Sequence, residues 1–98
     1  MRTYKFSLVF CIIMPLFSIL FGEQNMQSVR ITTVFDNTSL NSNCTPEWGF
    51  AAVIELPHET ILFDTGNDGQ ILQDNLKALG FAQTKFSKII ISHMHWDH

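Results

Sequence analysis

Polar and apolar residues take turns from Ser28 to Phe35, where Val29, Ile31, Thr33 and Phe35 alternate with Arg30, Thr32 and Val34. A period of two with many β-branched side chains predicts a strand. The pattern then breaks. Asp36 to Glu47 is a polar loop rich in Asn, Ser and Thr, with Pro46 near its end. From Trp48 the chain is apolar again, through Phe50, Ala51, Ala52, Val53, Ile54 and Leu56, which reads as a largely buried strand. Pro57-His58-Glu59-Thr60 is a tight connection to a short strand, Ile61-Leu62-Phe63. The two strands are expected to pair as an antiparallel hairpin.

Asp64-Thr65-Gly66-Asn67-Asp68-Gly69 is a turn cluster with two glycines. Asn67 or Asp68 can cap a helix over Gln70 to Leu79. Leu72, Leu76 and Leu79 give that helix one apolar stripe, and Gly80 suits the left-handed position just beyond it. Lys88-Ile89-Ile90-Ile91-Ser92 is continuous and β-branched enough to predict a buried strand. The order strand, helix, strand is that of a β-α-β unit, whose crossover is long enough for parallel pairing. Parallel strands end on the same edge of a sheet, so Asp64 and the residues from His93 onward are expected near each other. Ligand sites commonly lie outside such strand ends.

The chemistry gathers at that edge. His93-Met94-His95-Trp96-Asp97-His98 holds four candidate metal ligands in six positions. If the chain stays extended, His93, His95 and Asp97 point to one side and Met94 and Trp96 to the other. His98 then needs a turn to reach the same centre. Imidazole and carboxylate form a donor set for zinc, or for iron or manganese. Asp64 is, from spacing alone, either a turn residue that starts its loop or a hydrogen-bond partner of a ligand. Trp96 and Trp48 are expected to pack, the first behind the motif loop and the second as a core or loop anchor. His58 sits in a turn at the far end of its strand and is not counted as a ligand.

Composition changes this picture at the N-terminus. Arg2 and Lys5 precede an uncharged run from Phe6 to Phe21, the layout of a secretory signal, with cleavage expected after Gly22. An uncleaved membrane anchor through residues 6–21 is the alternative, although the run is short for a span and contains Pro15. Residues 1–22 are thus expected to be a signal peptide and 23–98 the folded part, in an exported (periplasmic or secreted) protein. That part holds all nine acidic residues against four basic ones, a net charge of −5, so no nucleic-acid partner is expected. The membrane enters only through the N-terminal segment. Cys11 leaves with the signal, and Cys44 reads as a lone loop thiol. Oligomeric state has no signature in the sequence.

His93-x-His95-x-Asp97-His98 resembles the H-x-H-x-D-H signature of the metallo-β-lactamase superfamily, and Asp64-Thr65-Gly66 at the end of a strand resembles that family's first Asp motif. The similarity extends over residues 29–98. Val34-Phe35-Asp36-Asn37, Glu47-Trp48-Gly49-Phe50 and Leu62-Phe63-Asp64-Thr65-Gly66 look like a branch related to archaeal dihydropterin ribofuranosyl-aminobenzene phosphate synthase. The resemblance implies an α/β architecture (an α+β sandwich), of which this chain would be the N-terminal half of an αββα fold, incomplete after the six-residue motif. It implies His93 and His95 on a first metal, Asp97 and His98 on a second, and Asp64 as a supporting residue. A metal-bridged water or hydroxide would be the nucleophile, and Asp97 could pass a proton to the leaving group. Further His ligands and a bridging Asp would follow residue 98.

These implications define an exported metal-dependent hydrolase, a zinc enzyme with two ions in the intact protein and a small-molecule substrate. The 98-residue chain alone would be an inactive fragment. The alternative from another class is a non-catalytic secreted metal-binding fragment or pseudogene product. Within enzymes, the alternative is a metallo-β-lactamase.

Overall fold

A computed structural model describes residues 27–98. The expected signal segment and the alternative anchor lie outside the described residues. Among the described residues the fold is α+β: a mixed four-stranded sheet and one helix. The strands are β1 (Arg30–Phe35), β2 (Ala51–Glu55), β3 (Thr60–Phe63) and β4 (Lys88–Ile90), with helix α1 (Gly69–Ala78) between the last two. Their order across the sheet follows the chain, β1-β2-β3-β4.

β2 and β3 form the expected antiparallel hairpin, with Glu55 opposite Thr60 and Leu56 N–H donating to Glu59 O at 2.9 Å to close the turn. β1 adds antiparallel to β2, and β4 adds parallel to β3 with Ile61 opposite Lys88. Cross-strand neighbours share a face, so Thr32, Val53 and Leu62 lie on one side and Ile31, Ile54 and Ile61 on the other. The first side carries the core, where Val53 and Leu62 meet Leu72 and Leu76 of the helix. A register shift between Thr33 and Phe35 interrupts the alternation in β1. It turns both Val34 and Phe35 into the core, while Ile31 stays exposed.

The helix starts where its chemistry says it should. Asp68 Oδ1 accepts from Gln70 N–H at 2.8 Å and Ile71 N–H at 3.0 Å, satisfying two donors of the first turn. It stops at a Schellman arrangement, with Gly80 at φ 88° and Phe81 N–H donating to Leu76 O at 2.7 Å. The helix lies against β1, and its buried Asn75 fastens the polar loop. Asn75 Nδ2 donates to Val34 O and Thr45 O, while Oδ1 accepts from Thr45 N–H at 2.8 Å. Cys44 is a half-buried free thiol in that loop.

Two expectations about packing are corrected. The run 88–92 forms a strand only over Lys88–Ile90 and is exposed, with Ile89 60% accessible. It is the edge of the described sheet, and the helix that crosses over to it packs on β1 instead. Trp48 is likewise exposed, in the loop before β2, where it anchors no core. Among the described residues no helix is long and apolar enough to cross a membrane.

Candidate metal centre

The parallel pairing brings the two strand ends to one edge. Asp64 N–H donates to Ile90 O at 2.8 Å, so the loop after β3 begins on the last residue of β4. Asp64 is the hub of this edge. Its side chain is 1% exposed, and its backbone takes a left-handed φ of 57°. Oδ1 accepts from Ser92 N–H at 2.7 Å, while Oδ2 accepts from Ser92 Oγ–H at 2.7 Å and from His98 Nδ1 at 2.9 Å. The structure therefore joins Asp64 to the motif directly, through Ser92 and His98, while its left-handed backbone also starts the loop after β3.

Burial alone would raise the Asp64 pKa. The hydrogen bonds from Ser92 N–H, Ser92 Oγ–H and His98, with the charge of His98, outweigh it and hold the carboxyl below its ordinary value of 3.8. A folded pKa below the unfolded one adds stability that is complete above the ordinary value and drains as pH falls through the folded value. Urea midpoints of the metal-free protein are thus expected to drop more steeply below about pH 4 than those of Asp64→Asn. Parallel acid limbs in the two proteins would contradict this assignment.

The motif does not continue as a strand. His95 N–H donates to His93 O at 3.1 Å and His98 N–H to His95 O at 3.3 Å, so the segment coils back on itself. The expected straight, alternating register is thus corrected: hydrogen bonds to Asp64 and the chain's own turns end the extension after Ile90. Coiling still gathers the donors, in pairs. His93 Nε2 and His95 Nδ1 stand 2.8 Å apart. His98 Nε2 faces Asp97 Oδ1 at 3.8 Å. The rings of His93 and His98 lie with centroids 4.1 Å apart. Met94 and Trp96 project outward, Trp96 73% exposed, so it does not pack behind the loop as expected. Ile91, Met94 and Trp96 with the three histidines line an open cleft of about 400 Å³. His58 lies in the hairpin turn away from this edge.

The donor set fits a divalent cation in chemistry and only in part in number. Ring nitrogens and a carboxylate oxygen suit zinc, iron or manganese. Because Asp64 engages Nδ1 of His98, the Nε2 lone pair is left toward Asp97, the arrangement in which a carboxylate orients a ligating imidazole. Among the described residues, however, no three His, Cys, Asp or Glu side chains surround one point.

Sequence reasoning did not single out the groups that fix the backbone of this loop. Thr65 Oγ1 donates to His98 O at 2.9 Å, and Phe50 N–H donates to Asp97 O at 3.2 Å. Gly66 N–H in turn donates to Phe50 O at 3.0 Å, tying the loop before β2 to the loop after β3. Gly49 between two aromatics was the one available signal, since a lone glycine there marks a close backbone approach. Ser92 had none beyond its place beside His93.

A family model described as the metallo-beta-lactamase superfamily matches residues 45–98. The chain is 35% identical over 68 residues to an uncharacterised protein of Methanocaldococcus jannaschii, a match covering 69% of this chain and 26% of the relative. It therefore spans about a quarter of the length of the curated relative it matches.

Proposed function

The chain belongs to the metallo-β-lactamase superfamily, and we propose that it is part of an exported metal-dependent hydrolase acting on a small ester, amide, thioester or phosphoester. One observation carries the reading: a buried carboxylate, Asp64, holds the His98 ring beside Asp97 at the sheet edge where His93 and His95 converge. His93 Nε2 and His95 Nδ1 would hold a first ion, and Asp97 with His98 Nε2 a second. Zinc is the expected metal, with iron or manganese compatible with the same donors. Bound cations would polarise the substrate oxygen and lower the pKa of a water.

The protein's own groups orient and hold protons. Asp64 keeps the His98 proton on Nδ1. Asp97 has a second carboxylate oxygen that can carry a proton to the leaving group, which makes it the proposed catalytic acid. The open cleft beside the three histidines suits a small-molecule substrate. The acidic balance of residues 23–98 argues against nucleic acid, and export rests on Arg2, Lys5 and the uncharged run after them. The paired rather than threefold donors favour a further reading for residues 23–98 taken alone, as a segment that binds metal without turnover.

Elemental analysis of the whole protein tests the proposal. Wild type is expected to retain about two zinc ions per chain and to hydrolyse a generic ester or lactam in a zinc-dependent way. His95→Ala should lose the first ion and the activity together. Two full ions in that variant would overturn the ligand assignment. A wild-type protein that takes up no metal would remove the hydrolase reading itself.

A further inference from the structure

Ser92 plays no part in the proposed hydrolysis, yet its hydroxyl stands between Asp64 and His93. Oγ is 2.7 Å from Asp64 Oδ2 and 2.9 Å from His93 Nδ1. A serine hydroxyl has a single proton to donate, and an ionised carboxylate can only accept. Asp64 takes donors from Ser92 twice and from His98 once, so both of its carboxyl oxygens act as acceptors. The Ser92 proton is therefore directed at Asp64, and the oxygen lone pair facing His93 must accept. His93 then carries its own proton on Nδ1, which leaves Nε2 bare. Nε2 is the atom that faces His95.

We propose that Ser92 is a positioning residue that sets the tautomer of His93, presenting Nε2 as its metal-binding atom. One buried carboxylate thereby orients two imidazoles, His98 by direct contact and His93 through the serine. The reverse polarity, with Ser92 donating to His93, would leave oxygen lone pairs facing each other across the 2.7 Å between Ser92 Oγ and Asp64 Oδ2. The purpose of the relay rests on the metal-dependent hydrolase reading. The relay itself belongs to the metal-free protein.

Imidazole ¹⁵N–¹H correlation spectra of the whole protein without metal, at about pH 8 where free imidazole is neutral, test it. His93 is expected to be protonated at Nδ1 in wild type and in Ser92→Thr, which keeps the hydroxyl. In Ser92→Ala the proton should redistribute toward Nε2, and zinc affinity should fall about ten- to a hundredfold, with Ser92→Thr restoring it. Wild-type His93 protonated at Nε2 overturns the proposal. So does Ser92→Ala with tautomer and zinc affinity unchanged. The wild-type spectrum decides even if Ser92→Ala fails to fold. A protein that binds no zinc but shows the Nδ1 tautomer would remove the hydrolase reading and leave the relay standing.

Discussion

Asp64→Ala is expected to destabilise the metal-free protein by about 3 kcal/mol or more, the sum of three part-buried donors left without an acceptor and an alanine forced into a left-handed backbone. The donors are Ser92 N–H, Ser92 Oγ–H and His98 Nδ1, and the backbone φ is 57°. Asp64→Asn separates fold from site. Asparagine tolerates positive φ, and its Oδ1 can keep the Ser92 N–H. Its amide, however, turns donors toward Ser92 Oγ and His98. His98 can relieve that clash only by moving its proton to Nε2, which removes the lone pair that faces Asp97. Asp64→Asn should therefore fold yet bind zinc about ten- to a hundredfold more weakly. Denaturant midpoints and zinc titration of both variants measure the two effects. Full zinc affinity in Asp64→Asn would show that Asp64 serves the loop and not the imidazole.

Gly49→Ala should be nearly as damaging. A Cβ there would lie 2.5 Å from Asp97 O, 3.2 Å from Gly66 Cα and 3.3 Å from Asn67 N. All three are backbone atoms, so no side chain can swing aside. The φ of 128° is also closed to an L side chain without strain. The expected cost is about 3 kcal/mol, through displacement of the Asp97–His98 peptide and loss of the Phe50 N–H bond to Asp97 O. Zinc held by Asp97 and His98 should weaken with it. Gly69→Ala is the control: its Cβ meets nothing within 4 Å, and it stands at the first position of the helix. That variant should be neutral or slightly stabilising. Equal stability of Gly49→Ala and Gly69→Ala, with equal zinc affinity, would refute the backbone clamp.

The frame of this site can be read in the sequence because its signals are local. Hairpin, Asp68 cap, Gly80 stop and the β-α-β order each depend on a few neighbouring residues, and the order alone carries Asp64 to the edge where His93 begins. What could not be read is non-local. Ile89 to Ile91 look like a buried strand by composition, but burial depends on which strand the helix covers, and α1 covers β1. The coil of residues 93–98 depends on the hydrogen bond between His98 and Asp64, and on the hold of Thr65 and Phe50 on backbone carbonyls. Periodicity is silent about such bonds. His93 and His95 still meet, at 2.8 Å, because a turn brings alternate residues together as readily as an extended strand points them the same way.

The parallel ladder between β3 and β4 also has a consequence in time. Asp64 meets Ser92 across 28 residues and His98 across 34, contacts that no hairpin or helix can make early. Closing such a loop costs chain entropy before any contact repays it, and parallel pairings accordingly form late. As the chain grows from its N-terminus, the β2–β3 hairpin and the helix can form while Asp64 is still hydrated. The carboxylate is desolvated only when β4 docks, and in that same step it acquires its donors. Burial and compensation thus arrive together, and the His98 ring is held by Asp64 only in chains that have completed this pairing.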